Sequence, residues 1–295
     1  MKHFLFSLIL PWLPKNWLSY WVGRLSEKAW PAPLGPWLVR WFAERYKIRL
    51  DEAEMSIGEY KSINALFTRR LKAGVRPRGE GLLNPADARI TEHGRISAGI
   101  LLQIKGKSYR VADLLGSEQD AARVEGGYFI TYYLCPTDYH RVHSPMAGQV
   151  LFCRHIPGQL WPVNSWSVSR IENLFSKNER TITALKKEQA LAYVVMVGAT
   201  NVGKITMTFD ANICTNQPES LRAQREHTYG ANLCVEAGDE LGVFNMGSTV
   251  VVLYNSAALL INGSTGPAAG EGAAYQGGLK SIAAGPCQVG ASLFI

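Results

Sequence analysis

The sequence lacks an apolar run long enough to span a bilayer, and it lacks paired cysteines. Its longest apolar stretch, residues 4–13, has ten residues, whereas a spanning helix needs about 20. The five cysteines are scattered, and none belongs to a C-x-x-C pair. These absences argue against a spanning anchor, a disulfide framework and a zinc ribbon, and they favour a reducing, cytosolic setting.

Acidic residues are scarce at the amino terminus. Residues 1–50 hold eight Lys/Arg and two Glu, and so carry +6 of the net charge of +7. Because the basic charge belongs to one terminus, no binding to nucleic acid is expected. Six of the eight tryptophans lie there too, a combination typical of a membrane–water interface. We expect peripheral binding to the cytoplasmic side of the cell membrane; a signal peptide and an ordinary soluble helical subdomain are the alternatives.

The chain has two regions with different sequence patterns. Residues 1–75 have helical periodicity: over 37–48, apolar side chains fall on one side and charged ones on the other. A second helix is predicted to begin at Ser62, as its N-cap, and to end before Pro77. From about residue 84, short β-type runs separated by Gly, Pro and Asn take over. They are residues 128–134, 149–152, 192–198, 202–209 and 249–254.

The predicted fold class is α+β, with N-terminal membrane-associating helices (1–75) followed by a β-rich core (76–295). The last 34 residues, 262–295, contain eight Gly, seven Ala and two charged residues. Strand-and-turn structure and a weakly ordered end both fit that composition.

Two segments carry candidate proton-transfer groups. Asp87 follows Asn-Pro-Ala in a turn, where a lone Asp usually bonds its own backbone. His140 and His143 lie three residues apart after an apolar strand, and histidine suits proton transfer near neutral pH. Metal ligation by this pair with Asp138 and a purely structural role are the alternatives. No further Cys/His cluster completes a zinc set, so no metal is expected.

A third segment, 244–252, combines a Gly-Ser-Thr turn with a β-branched run that predicts a strand. A tight turn before a buried strand would explain it without chemistry. A serine nucleophile needs a base and an orienting acid. Asp87, His143 and Ser248 could provide that set from separate strand ends, although spacing in the sequence does not show that they meet.

The three segments together, in this order, resemble the phosphatidylserine decarboxylase family. They are Pro85-Ala86-Asp87, Asp138-Tyr139-His140-Arg141-Val142-His143 and Met246-Gly247-Ser248-Thr249. Further matching positions are Leu71, Arg76 and Pro77, residues 157–158 with 163–164, 173–175 with 178–180, and 197–203. The similarity runs from about residue 1 to residue 255.

The resemblance implies a pyruvoyl cofactor that the chain makes from itself. Ser248 would attack the carbonyl of Gly247, His143 would deprotonate Ser248, and Asp87 would orient His143. Elimination would cut the chain between Gly247 and Ser248 into 1–247 (the β chain) and 248–295 (the α chain). Residue 248 would become the pyruvoyl group.

The resemblance also implies the substrate and the reaction. The ketone would capture the amine of phosphatidylserine as a Schiff base and act as an electron sink for loss of CO2. The product would be phosphatidylethanolamine, and His140 is the candidate for proton handling. The implied partners are phosphatidylserine, an anionic membrane surface and the two cleaved chains with each other; a homodimer is left open.

Two other functions fit the same residues. A membrane-associated serine hydrolase would use Asp87, His143 and Ser248 on an intact chain. A protein that only binds lipid surfaces would use the N-terminal helices and no chemistry.

Overall fold

The structure, a computed structural model, describes residues 14–102, 108–163, 165–200, 203–218, 223–245, 249–262 and 284–293. Its helices are α1 (Lys15–Glu27), α2 (Leu34–Arg45), α3 (Ile63–Phe67), α4 (Val111–Leu115), α5 (Glu118–Arg123), α6 (Ser165–Arg170) and α7 (Leu174–Lys177), with 3₁₀ turns at Ile57–Glu59 and Ala258–Asn262. Its strands are β1 (Ala88–Arg95), β2 (Ile100–Leu102), β3 (Ser108–Arg110), β4 (Tyr128–Tyr133), β5 (Arg141–His143), β6 (Gly148–Ile156), β7 (Arg180–Lys187), β8 (Ala190–Val197), β9 (Lys204–Met207), β10 (Arg225–Thr228), β11 (Cys234–Val235), β12 (Glu240–Asn245), β13 (Thr249–Tyr254) and β14 (Gly285–Cys287). The predicted α+β class is confirmed.

The strands of the described residues form three antiparallel sheets. The large sheet has nine strands in the order β10-β6-β7-β8-β13-β4-β1-β14, with β11 also paired to β6. A small sheet has the order β5-β12-β9, and β2 pairs with β3. Strands β12 and β13, which are consecutive in the chain, therefore link the small sheet to the centre of the large one.

Strand β13 is buried on both faces, which explains its unbroken apolar sequence. It pairs over its whole length with β8 on one side and β4 on the other. Val250 and Val252 pack into the apolar cluster on one face, and Val251 and Leu253 pack into the cluster on the other. A strand with two buried faces reads as a continuous apolar run instead of an alternating one. The prediction of a strand over 249–254 is confirmed.

The second predicted helix begins where the sequence indicated and ends well before Pro77. Ser62 Oγ accepts a hydrogen bond from the Ala65 amide at 3.1 Å, which is the predicted N-cap. The helix ends at Phe67, and Leu71 instead forms a β-bridge with Ala53. The prediction that the helix ends before Pro77 is confirmed, and Leu71 lies outside the helix because it packs through strand-like pairing.

Helices α1 and α2 present their tryptophans outwards. On α1, Trp17, Trp21 and Leu25 form one exposed stripe, while Ser19 and Ser26 are buried. On α2, Trp37 and Trp41 are exposed; the buried side of this helix is formed by Val39, Phe42 and Ala43. The predicted single apolar face of α2 is therefore divided between an inner and an outer side. Within the described residues, no helix combines the length and apolarity needed to cross a membrane.

Candidate active site

The two residues of the predicted cleavage site, Gly247 and Ser248, lie outside the described residues, but the residues on either side of them are firmly held. The Asn245 amide accepts a hydrogen bond from Asn64 Nδ2 at 3.1 Å and donates to Thr206 Oγ1 at 3.2 Å. Thr249 is buried and pairs with Tyr133 and Val197 on the two neighbouring strands. Both ends of the turn are thus fixed, one in each sheet.

The register of β5 on β12 places the two histidines at different distances along the strand from this turn. The carbonyl of His140 accepts the amide hydrogen of Phe244 at 3.0 Å, next to the end of β12 that leads into the turn. His143 pairs with Glu240 at the other end of β12. His140 is therefore the nearer of the two along this strand.

His140 is completely buried and has one nitrogen without a partner. Its ring stacks on Phe67 with 3.8 Å between centroids. Nδ1 lies 2.8 Å from the carbonyl of Asp138 and must donate to it, because a carbonyl can only accept. Nε2 makes no hydrogen bond to any of the described residues. Burial lowers the pKa of His140 to about 3, so the ring is neutral and Nε2 carries a buried lone pair.

His143 is held by partners on both nitrogens. Nδ1 donates to the carbonyl of Gly238 at 2.8 Å, and Nε2 accepts from the hydroxyl of Tyr139 at 3.1 Å. Burial lowers the pKa of His143 and raises that of Tyr139, so the imidazole is neutral and the phenol keeps its hydrogen. A backbone carbonyl that fixes the tautomer leaves Nε2 as the basic nitrogen. His143 is thereby prepared to accept a proton through Nε2.

Asp87 has contacts other than the predicted one with His143. Its carboxylate forms a two-pronged ion pair with Arg76, from Nε to Oδ1 at 3.0 Å and from Nη2 to Oδ2 at 2.6 Å. Oδ1 also accepts the amide hydrogen of Val289 at 2.9 Å. Nη2 of Arg76 reaches Glu52 as well, at 2.8 Å. In this structure Gly238, and not Asp87, orients the His143 ring.

Backbone pairing nevertheless brings the three predicted segments to one region. The amide of His143 donates to the carbonyl of Pro85 at 2.7 Å. Arg89 on β1 and Thr249 on β13 both pair with Tyr133 on β4. They are therefore two strand spacings, or about 10 Å, apart. The start of β1, beside Asp87, and the start of β13, beside Ser248, lie at the same end of the large sheet.

An open, positively charged cavity adjoins His143. It has a volume of about 350 Å³, and His143 and Tyr139 line it together with Arg70, Lys72, Arg76, Arg78 and Glu240. A second cavity of about 580 Å³ is lined by Asp87 and Asp138, with Arg49 and Cys287 among the other residues. The candidate site thus offers a basic nitrogen at the wall of a cavity that favours anions.

Sequence reasoning gave no role to several residues that shape this site. Gly238 and Val289 act through backbone atoms, which leave no side-chain signal. Arg76 is one of the positions that carry the family resemblance, but its role was not predicted. An Arg is the natural ion-pair partner of a buried Asp such as Asp87. Among the described residues, no group of three His, Cys, Asp or Glu side chains is arranged to hold a metal ion.

These features define an α+β protein with two neutral histidines on the segment that pairs with β12, and with a fully buried strand, β13, at the centre of its large sheet. The sequence profile of one family, described as phosphatidylserine decarboxylase, matches residues 63–274. Three similar proteins are each named phosphatidylserine decarboxylase proenzyme. The one from Anaeromyxobacter sp. (strain K) is 43% identical over 86% of this chain and 90% of its own length. Those from Myxococcus xanthus (strain DK1622) and Shewanella sp. (strain W3-18-1) are 40% and 37% identical, over 84% of this chain and 89% and 87% of their own lengths.

This chain therefore belongs to the phosphatidylserine decarboxylase family. The resemblance inferred from the sequence is confirmed, and with it the prediction of an enzyme of this family.

Proposed function

We propose that this chain cuts itself between Gly247 and Ser248 and then decarboxylates phosphatidylserine to phosphatidylethanolamine at a membrane surface. The observation that carries the proposal is a pair of neutral histidines, each oriented by a backbone carbonyl, on the segment that pairs with β12, the strand that leads to Gly247 and Ser248. Family membership supplies the reaction; the geometry supplies residues suited to it.

In the cleavage step, the groups of this chain would convert the amide between Gly247 and Ser248 to an ester and then break the chain by elimination. His143 would take the hydroxyl proton of Ser248 through Nε2, the nitrogen that carries the lone pair. The serine oxygen would then attack the carbonyl of Gly247, and the nitrogen of residue 248 would leave that carbon and take a proton, which gives an ester. Elimination would break the Cβ–O bond of residue 248 and release the carboxylate of Gly247. Water would convert the remaining dehydroalanine to the ketone with loss of ammonia. Because burial lowers its pKa, His143 is neutral and able to act as a base at neutral pH. The contribution of Asp87 is proposed to be positional, through the start of β1.

The residues around the turn fit a small ketone at position 248. Two buried polar atoms near that position, His140 Nε2 and Thr249 Oγ1, have no hydrogen-bond partner in the described structure. A pyruvoyl group there would bind the substrate amine as a Schiff base and accept electrons as CO2 leaves. His140 would exchange the proton at the reacting carbon from an environment closed to water.

The two chains produced by cleavage would stay together. The smaller chain, 248–295, would contain β13 in the middle of the large sheet and β14 at its edge against β1. It would also keep the amide of Val289 on Asp87. Separation would expose two strands to water, together with the apolar clusters on both faces of β13. Exposure of that apolar surface is strongly unfavourable.

The proposed membrane surface is the exposed side of α1 and α2. A soluble helix normally buries its apolar side, whereas α1 buries Ser19 and Ser26 and exposes Trp17, Trp21 and Leu25. Glu27 at the end of α1 forms an ion pair with Lys204, which pairs with Asn245 beside the turn. The proposal thus places the reaction site close to a lipid interface, and the free cysteines favour its cytoplasmic side.

Mass spectrometry under denaturing conditions tests the cleavage. We expect two chains of about 27 and 5 kDa, when 32.6 kDa is divided in proportion to residue number. The smaller chain should lack a free amino group and should trap phosphatidylserine under cyanoborohydride. Ser248→Ala should remain one inactive chain, while the matched control Ser256→Ala should be cut normally. An active wild-type chain that stays intact would contradict the proposal and favour the serine hydrolase.

A pair of matched leucines tests the membrane surface. Leu25 on α1 and Leu260 near β13 are both 53% exposed. Leu25→Ser should weaken binding to anionic vesicles about tenfold, because one apolar side chain no longer enters the interface. Leu260→Ser should leave binding unchanged. Equal losses in both variants would show that α1 is not the contact surface, and equal binding of wild type to neutral vesicles would remove the electrostatic part.

A further inference from the structure

Arg69 is a buried cation with most of its hydrogen-bonding capacity unused. It follows α3 and is 4% exposed. Nη2 donates to the carbonyls of Thr137 and Asp138, at 3.2 and 3.4 Å. Nε and Nη1 are buried and have no partner within the described residues. A guanidinium in this state has lost its hydration without an acidic partner in return, which is unfavourable.

His140, whose Nε2 has no partner among the described residues, lies beside Arg69. His140 Nδ1 and Arg69 Nη2 both donate to the carbonyl of Asp138, so this one oxygen ties the two side chains together. A cation with spare donors and a neutral acceptor therefore lie side by side, next to the end of β12 that leads into the turn. Buried polar groups are normally satisfied, and an unsatisfied pair of opposite kinds indicates a ligand with both an anionic and a donor group.

We propose that Arg69 binds the phosphodiester of the lipid headgroup, while His140 Nε2 faces its amine. The inference rests on the proposed function for the identity of the lipid. Of the two anionic groups of phosphatidylserine, the phosphodiester is the better match. Its charge is unchanged by the reaction, whereas an ion pair with the departing carboxylate would stabilise the ground state and oppose loss of CO2. An arginine fork is also well suited to phosphate oxygens.

The neighbouring residue supplies a matched control. Arg70 has the same side chain but is exposed and lines the open cavity beside His143. If the anion binds at the buried position, Arg69→Gln should weaken its binding and Arg70→Gln should not. Arg69→Lys keeps the charge with fewer donors and should give an intermediate affinity.

Two small anions without an amine serve as probes. Dimethyl phosphate carries the phosphodiester charge, and 3-methoxypropionate carries a carboxylate. Calorimetric titration of the uncut Ser248→Ala protein, and of the protein with Ser248 intact, should detect saturable binding of dimethyl phosphate. Arg69→Gln should weaken that binding at least about tenfold, the factor expected for one charged hydrogen bond. Arg70→Gln should leave it unchanged, and 3-methoxypropionate should bind more weakly.

Each opposite result overturns the inference. Absence of saturable binding, or loss of binding in Arg70→Gln alone, would remove Arg69 from the anion site. Tighter binding of 3-methoxypropionate that depends on Arg69 would assign the site to the carboxylate. Because the titration needs neither cleavage nor turnover, it stands even if the proposed decarboxylation fails. If Arg69→Gln does not fold, the Arg69→Lys comparison with Arg70→Lys decides.

Discussion

The two histidines of residues 140–143 have the same side chain in different surroundings. His143 lies at the wall of an open, positively charged cavity, and both its nitrogens have partners. His140, three residues earlier, is buried against Phe67, and its Nε2 has no hydrogen-bond partner among the described residues. A single motif thus provides one histidine in contact with a cavity and one removed from water. The two residues are of the same type, so residue type alone does not determine their chemical roles. The packing and hydrogen bonds around each ring do.

The largest expected effect separates the two histidines directly. His143→Ala should block self-cleavage, because the basic nitrogen nearest the cavity is lost. His140→Ala should still permit some cleavage and should impair decarboxylation of the protein that is cut. Denaturing gels read the first property, and product formation per cut chain reads the second. Normal cleavage and turnover in both variants would show that the motif is structural.

The next effect concerns the charged side of the site. Asp87→Asn should lower the free energy of unfolding by about 3 kcal/mol, because buried Arg76 loses its main ionic partner. It should also slow self-cleavage. Asp239→Asn is the matched control: its partner Arg78 is exposed, and surface pairs contribute at most about 1 kcal/mol. Urea denaturation measures both, and equal losses would mean that burial of the Asp87 pair is unimportant.

Burial of His140 should make the free energy of unfolding depend on pH. The folded pKa of His140 is about 3, against about 6.5 in an unfolded chain. The unfolded state therefore binds the proton first, and stability should be constant above pH ~6.5 and fall by about 1.4 kcal/mol per unit below it.

The uncut Ser248→Ala protein is suited to this measurement because it remains one chain. His140→Gln, which has no titrating ring, should lose the contribution of His140 to the slope between pH 6.5 and 5, about 1.4 kcal/mol per unit. The contribution of His143, whose pKa burial also lowers, should remain. An unchanged slope in that variant would assign the pH dependence to other groups, of which His143 is the first to examine.

The smallest effect sharpens the description of His143. Tyr139→Phe removes the hydroxyl that donates to Nε2 and keeps the ring. Stability should fall by about 1 kcal/mol, the value of one neutral hydrogen bond. The tautomer should persist, because the carbonyl of Gly238 still accepts from Nδ1. Nitrogen-15 shifts of the imidazole can verify this, and a mixed tautomer would show that Tyr139, and not Gly238, fixes the ring.

Local pattern was enough to predict some elements and not others. Ser62 as an N-cap and β13 as a strand depend on neighbouring residues, so both could be predicted from short segments. The inner and outer sides of α2 could not, because Trp37 and Phe42 are both apolar and only tertiary packing separates them. Exposed tryptophans do not differ in periodicity from core residues.

The contacts within the site were least accessible to sequence reasoning. Asp87 accepts a hydrogen bond from Val289, which is about two hundred residues away in the sequence. His143 donates a hydrogen bond to the backbone oxygen of Gly238. Such pairings are set by sheet topology, which composition and spacing do not encode. The pattern of a serine triad predicts an Asp–His contact, whereas in the structure the carboxylate of Asp87 pairs with Arg76.

The pairing of β14 with β1 also has a consequence for how the protein can be made. Under the proposed cleavage, the smaller product would supply both an inner and an edge strand of one sheet. Those strands can find their places while a single chain keeps them at high local concentration. Once the chain is cut, that tether is lost, and thermal unfolding would become irreversible. The mature enzyme would then be a kinetically preserved product of its precursor, able to persist for long periods but unable to renature from its separated parts.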